Sequence, residues 1–349
     1  MIFPHIKPSK LPSLLTFLIF GVAIGIFFIL FFSSKETLTT GEKHDLEMQA
    51  DLQTRNLQER MEVYIQALYG ARGMAAADEN LSSTQWRKFF QNMGISKRLP
   101  GLATMAFVEL VPAANKEQFA KNMQNDTSLS STGIPDFEIK TDREKSEYLV
   151  IKYVEPSSFA TFQKTVGFDF FSDPVRSEAA VVARDTNQPI ITSPTKSLST
   201  QKSAFLIVLP LYRDDQPVVT PEQRRAAFRG LVTEGFYTQE LFDQAFSGLV
   251  AVNGRVLVYS GDRANPDFLL YDSANQEKVL GASFGDKNVE LTRQIKVLNQ
   301  TWTLQYSLPV SSISTPIIST LSARLAVVIL TNILTALVIW QHFYKKKLT

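Results

Sequence analysis

From Leu11 to Phe32 the chain runs 22 residues without a charge. At about 1.5 Å of rise per helical residue such a stretch reaches about 33 Å, the depth of a bilayer's hydrocarbon core. A secretory leader has a shorter apolar region closed by small residues, whereas here Phe31 and Phe32 run straight into Ser33, Ser34 and Lys35, which predicts an uncleaved anchor. A second apolar run from Leu325 to Trp340 is followed by Phe343, Tyr344 and the triplet Lys345, Lys346 and Lys347, an aromatic belt with a cationic stop. That run is short for a span, so its helix is expected to start near Ile317, with Arg324 snorkelling to the outer headgroups. Lys7 and Lys10 before the first run, and three lysines after the second, place both termini in the cytoplasm by the positive-inside rule.

Beyond the first run the pattern turns polar, and Ala50, Thr54, Leu57, Met61, Tyr64, Leu68, Ala71 and Ala75 recur at spacings of three and four. This is the seam of a long helix, which either packs on its own domain or forms a dimer stalk. Gly21 and Gly25 make a GxxxG pair in the first apolar run that favours close helix approach.

After Leu81 the pattern is mixed. Helices are predicted near 84–93, 115–123, 174–186 and 238–246, with Asp173 and Pro174 as N-cap and first residue of the third. Strands are predicted at 102–110, 148–154, 203–211 and 228–235. Residues 249–260 read as a hairpin about Asn253 and Gly254, and 290–308 as another about Asn299 and Gln300. Hairpins favour antiparallel sheet and two successive α+β units, with a seam near 236–247. The charge-rich stretch Asp142 to Glu147 reads as a solvated face or loop.

Composition narrows the chemistry. There is no cysteine and the histidines are His5, His44 and His342, none of them between Leu46 and Gln341, which removes thiol nucleophiles, Cys-ligated zinc and any Ser-His-Asp triad in the outer domain. No GxxxxGK[ST], GxGxxG or HExxH motif is present, so no cofactor is expected and the chain is read as a non-enzyme. The 291 residues between the runs carry 30 basic and 34 acidic side chains, a net of −4 that offers no polycationic face to nucleic acid. Sequons stand at Asn80, Asn125 and Asn299 and matter in a glycosylating secretory pathway.

The segments YLVIKYVEP, VGFDFFSDPVRSEAAVVARDTNQPIITSP and AFLIVLPLYR at 148–212, flanked by PGLATMAFVELVP and FRGLVTEGFYTQELFDQAF, resemble a CHASE domain, the extracellular sensory module of membrane-bound histidine kinases and nucleotide cyclases. The resemblance covers about residues 57–308 and implies a stalk helix followed by two PAS-like units. On that basis the expected fold is α+β, with two transmembrane helices flanking the stalk and two units built on antiparallel sheets. The expected organisation is a cytoplasmic N-terminus (1–10), a first transmembrane helix (11–32), a stalk (33–80), a membrane-distal unit holding the ligand (81–236), a membrane-proximal unit (237–310), a second transmembrane helix (317–340) and a basic cytoplasmic tail (341–349).

The family's plant cytokinin receptors hold an adenine-type ring through an aspartate and the backbone of a nearby strand. Carried over by the motif, these positions fall at Asp169, in Gly167-Phe168-Asp169, and at Ile191, just before Thr192-Ser193-Pro194. Asn187 departs from the usual glycine but tolerates positive φ. Read from its residues alone, Asp169 either serves a polar ligand or caps a turn or pairs with Arg176 or Arg184. On the strand 203–211, Ala204, Leu206 and Val208 share one face and Phe205, Ile207 and Leu209 the other, and either can line a pocket. Leu206 and Val208 join Asp169 and Ile191 as candidate ligand contacts. Glu155-Pro156 and Arg176 are family-like and read as structural.

The function expected is that of a membrane-anchored extracytoplasmic sensor of a small molecule, adenine-like or another small organic compound, embedded in the lipid bilayer and dimeric through the stalk and first transmembrane helix. Residues 33–323 are then outside. Only about nine residues follow Trp340, too few for an effector domain, so the signal is expected to pass to a kinase or cyclase acting in trans. The alternatives are a truncated sensor kinase or cyclase and a non-sensing scaffold.

Overall fold

A computed structural model of the chain describes residues 11–94, 99, 101–128, 133–156, 163–250, 255–275 and 288–309, with five helical positions between 327 and 335. Two compact units divide the chain. One takes in Met1–Gln49, Gly281–Val289 and Ser307–Thr349, the other Ala50–Leu280 and Glu290–Tyr306. The backbone is one continuous helix, α1, over Leu11–Ala76. The stretches read as spans fall outside the described residues, 11–32 for nearly all its side chains and 317–340 for all but those five positions. Among the described residues no helix is long and apolar enough to cross a membrane.

In the second unit the seam of α1 is buried: Ala50, Leu57, Met61, Tyr64, Leu68, Ala71 and Ala75 are all at most 1 % exposed. It therefore packs on the domain's own sheets, the first of the two readings of that pattern. Thr54 bonds the Tyr306 hydroxyl at 2.8 Å, and Tyr64 meets Phe236 edge-on at 5.0 Å. The helix ends on Arg229, whose guanidinium donates to the carbonyls of Ala75, Asp78 and Glu79, placing a cation where the last carbonyls concentrate negative charge.

Helices α2 (Ser83–Met93) and α3 (Lys116–Gln124) follow, the first opened by a Ser82–Gln85 capping box. Then come α4 (Pro174–Thr186), α5 (Pro221–Ala227) and α6 (Thr238–Val250). Asp173 caps α4 as the sequence predicts, and Asn187 closes it at φ 55°. Helix α5, which the hydrophobic pattern does not signal, is opened by a capping box of Thr220 and Gln223.

The larger sheet is antiparallel throughout its named strands, in the order β2 (Glu147–Glu155), β1 (Leu102–Pro112), β6 (Phe228–Tyr237), β5 (Ser203–Tyr212), β3 (Ile190–Ile191), with β4 (Thr195–Lys196) also on β5. The smaller sheet runs β8 (Leu269–Asp272), β7 (Arg255–Ser260), β10 (Gln300–Pro309), β9 (Asn288–Val297). The α+β class, the antiparallel sheets and the long helix are thus present. The hairpin read at 249–260 is not. Helix α6 continues to Val250, so residues 249 and 250 are helical where that reading has a strand, and β7 pairs with β8 and β10. Phe242 and Phe246 on α6 pack on Tyr271, Trp302 and Tyr306. The hairpin read at 290–308 is present as β9 and β10, its turn at Leu298 and Asn299 with Leu298 at φ 55°.

On β6 one residue breaks the apolar pattern of the face turned to α1. Glu234 is fully buried, neither carboxylate oxygen has a hydrogen-bond partner, and burial pushes its pKa well above the ordinary glutamate value of 4.5. It faces Tyr64 of α1, whose hydroxyl is pushed up to about 12, by burial first and by Glu234 in addition, against the pull of Arg60. Its neighbours across the ladder, Met105 and Ile207, are neutral. Because the folded-state pKa is the higher one, Glu234 is harmless below the unfolded-state value, and its cost grows as pH rises above that value toward the folded one. We expect Glu234→Met to gain stability over the parent as pH is raised from about 5 to about 8. Melting temperatures across that range check this, and a pH-independent difference refutes it.

Candidate functional site

The central strands of the larger sheet carry side chains of contrasting size on their two faces. Toward α1 and α2 stand Met105, Phe107, Phe205, Ile207, Glu234 and Phe236, with Trp86 of α2 on Phe107. The opposite face carries the small residues Thr104, Ala106, Ala204, Thr233 and Gly235 beside Leu206, and the small groups leave a cavity of about 60 Å³. A Cβ on Gly235 would stand 2.6 Å from Thr104 Oγ1, so glycine is what lets that hydroxyl lie over the strand. The roof comes from Ile151 and Val154 of β2, Thr165, Phe170, Arg176 of α4 and residues Ser197, Leu198 and Ser199 beyond β4.

Arg176 is 3 % exposed. Asp173, the cap of its own helix, takes Nη1 at 2.7 Å; Nη1 also reaches Thr195 Oγ1 at 3.4 Å, and Nη2 donates to the Lys196 carbonyl at 2.8 Å. The Phe168 ring lies 5.6 Å from the guanidinium carbon, and Nε is buried without a partner. Burial lowers the pKa of Arg176 from its ordinary value and Asp173 opposes the fall, so the group stays charged. At the cavity rim, burial raises the Tyr237 phenol, but the hydroxyls of Thr200, Ser197 and Ser199 and the Lys202 ammonium outweigh it and leave it below its ordinary pKa.

Of the four candidate contacts, Leu206 stands on the cavity wall. Val208 is on the same strand face but fully buried beyond the wall, between Ile190 and Thr233 in the ladder. Ile191 pairs with Ile207, and its backbone is engaged elsewhere: its N–H donates to Asn299 Oδ1 at 2.8 Å, and its carbonyl accepts from Asn299 Nδ2 and Gln300 Nε2 at 3.3 and 3.2 Å. Gln300 Nε2 reaches the Thr192 carbonyl as well, at 3.1 Å.

Asp169 lies outside the cavity wall and is completely buried. The segment Gly167–Asp169 runs along the free edge of β2, where Ile151 N–H donates to the Phe168 carbonyl. Gly167 makes that approach with φ 87°, and a Cβ there would meet the Glu138 carbonyl at 2.4 Å. Asp169 Oδ1 accepts from the N–H groups of Leu149 and Phe171, both at 3.0 Å, capping the 3₁₀ turn Phe170–Ser172. Around Oδ2 stand Lys145 Nζ at 2.7 Å, Ser172 Oγ at 3.0 Å and Thr141 Oγ1 at 3.1 Å. The partner of Asp169 is thus Lys145, not Arg176 or Arg184. The stretch 142–146 is a loop leading into β2 at Glu147, but its lysine is drawn inward to 12 % side-chain exposure. Burial works against the Lys145 charge, yet the carboxylates of Asp142 and Asp169 hold its pKa above the ordinary lysine value.

A family model, the CHASE domain, matches residues 79–277, more than half of the chain. The chain belongs to the CHASE domain family. The resemblance carried by the segments at 148–212 is thereby borne out. No curated protein matches the chain. Among solved structures, it is similar to the periplasmic sensory domain of the Campylobacter jejuni chemoreceptor Tlp1, at 14% identity, covering 80% of this chain and 99% of that one with a TM-score of 0.48. It is also similar to the ligand-binding domain of the Pseudomonas fluorescens chemoreceptor CtaA in complex with L-leucine (11% identity, 78% and 97% covered, TM-score 0.44). A third is the ligand-binding domain of the Pseudomonas aeruginosa PAO1 amino acid chemoreceptor PctC in complex with GABA (11%, 74% and 96%, TM-score 0.42).

Sequence reasoning passed over the small-residue face and Lys145. The first had a signal: Thr104-Met105-Ala106-Phe107 and Thr233-Glu234-Gly235-Phe236 alternate small with large rather than polar with apolar. Since Asp169 sits among five donors of its own chain, Asp169→Ala is expected to cost about 3–5 kcal/mol, as for one partner removed from a buried ion pair. Denaturant unfolding of the ligand-free protein measures this. A variant as stable as the parent would assign the carboxylate to a ligand instead.

Proposed function

We propose that this CHASE protein is an extracytoplasmic sensor that takes a small molecule into the cavity between the larger sheet and α4. The observation that carries the reading is the cavity itself, walled by small side chains on three strands whose opposite faces pack on α1. An occupant that presses on those strands changes the surface that α1 rests on. It biases the helix only as far as it prefers one arrangement over another. The chain binds rather than transforms its occupant. Asp169 and Ile191 act here by holding the β2 edge and the β3 edge in place, and Leu206 by direct contact. Thermal unfolding of the full chain in detergent against adenine, short peptides and small organic acids tests this. At least one class should raise Tm by mass action, and Ala106→Leu, which fills the cavity, should abolish the rise while the variant still unfolds cooperatively. No rise with any class, or an equal rise in both proteins, would refute the reading.

The apolar stretches 11–32 and 317–340 with their flanking lysines support a two-pass anchor with both termini cytoplasmic, the signal passing across the membrane to a partner. A dimer through α1 is supported by Met48, Leu52 and Val63, which are 54 %, 57 % and 54 % exposed on the helix face away from the buried seam. The chain has no cysteine. Leu52→Cys is therefore expected to give one oxidised product of twice the mass in intact membranes, and an exclusively monomeric product would remove the α1 dimer.

A further inference from the structure

Between α1 and the larger sheet lie two buried polar groups of opposite charge that the chain leaves unused. Glu234 of β6 is completely buried, and neither of its carboxylate oxygens has a hydrogen-bond partner. Arg60 of α1 is half-buried, and its Nη1 is enclosed without a partner. Tyr64, one helical turn beyond Arg60 on the same side of α1, neighbours both: Arg60 donates to its hydroxyl, and the charge of Glu234 acts on that hydroxyl from β6. An unsatisfied buried donor and an unsatisfied buried acceptor each cost stability in this arrangement, and each has in the other the partner it lacks.

The surroundings of Glu234 decide which protonation state this arrangement accepts. Helix α1 brings Tyr64 and Arg60, β1 brings Met105, β5 brings Ile207, and Val232 and Phe236 flank Glu234 on its own strand. The tyrosine is neutral, and among the described residues no cation offsets the burial of Glu234. Glu234 is therefore accommodated with its proton on, and the packing of Tyr64 against Phe236 at 5.0 Å belongs to that state. Once ionised, the carboxylate needs water or a cation. Met105 and Ile207 supply neither. The cation with an unused donor is one turn away on α1, the element packed over this face of β6.

We propose that Glu234 and Arg60 form a proton-operated latch on α1. With the proton on, the helix sits as it does here; when Glu234 gives the proton up to solvent, α1 shifts along β6 and Arg60, rather than Tyr64, meets the carboxylate. Protons then act as an effector, favouring the first arrangement because only that one holds the extra proton. Thr233 and Gly235, on either side of Glu234 along β6, line the cavity, so the strand that walls the cavity carries the latch on its reverse. The latch needs no occupant in the cavity, and its failure leaves the proposed function standing.

Because the chain has no cysteine, two introduced thiols can be spin-labelled without background. Gln58→Cys on α1 and Val182→Cys on α4 are both exposed positions outside the latch. The test measures the distance between the two labels by pulsed electron double resonance, on the full chain in detergent micelles between about pH 5 and about pH 8. A second distance population is expected to grow with pH, its ratio to the first rising by at most about tenfold per pH unit, the limit for one proton. Glu234→Gln keeps the shape of the protonated acid and should hold a single population throughout. Arg60→Gln removes the receiving cation and should cut the growth severalfold. One population at every pH in the parent, growth that persists in Glu234→Gln, or growth unchanged in Arg60→Gln overturns the latch. Should Glu234→Gln fail to fold, the parent and Arg60→Gln decide.

Discussion

The structure depends on one constraint: three central strands must bury both faces, and they do so with side chains of unequal bulk. Phe107, Phe205, Ile207 and Phe236 supply the apolar area that fixes α1 and α2, and burial of this kind is the dominant favourable term in such a fold. Threonine, alanine and glycine at the alternate positions cannot fill the space beneath α4, and that shortfall is the cavity. Tight packing and open space are therefore divided largely by the period of two along each strand. One substitution on the α1 side weakens the frame, while one on the other side reshapes the cavity.

Around the cavity, buried charge is handled in two ways. Asp169 is neutralised by Lys145 and saturated by backbone N–H groups and hydroxyls, so it organises the edge of β2. Arg176 is only partly matched and stands on the wall. Two buried ions less than one helix apart in sequence thus do different work, and the difference is in how many of their hydrogen-bonding groups the chain itself uses up.

Much of the framework was legible in the sequence. The α1 seam, the strands at 102–110, 148–154, 203–211 and 228–235 and the Asp173-Pro174 start of α4 follow from local periodicity and capping, which the tertiary fold did not override. Asn253-Gly254 misled because turn chemistry is local and carries no information on how far the preceding helix runs, and α6 continues to Val250. The cavity was half legible. Alternation grouped Ala204, Leu206 and Val208 on one face, but which face meets a void depends on where α1 and α4 pack, and no single strand encodes that. Nor does any local signal tell that a lysine in a charged loop will fold back onto a buried aspartate 24 residues away.

The bonds made by Asn299 and Gln300 have a mechanical corollary. Their side chains grip Ile191 and Thr192 through four hydrogen bonds, so the tip of the β9–β10 turn is clasped to the outermost strand of the other sheet. That strand cannot slide without either tearing the clasp or hauling the turn along. A displacement at the edge of the larger sheet thus has a sideways route into the smaller one that bypasses the long helix.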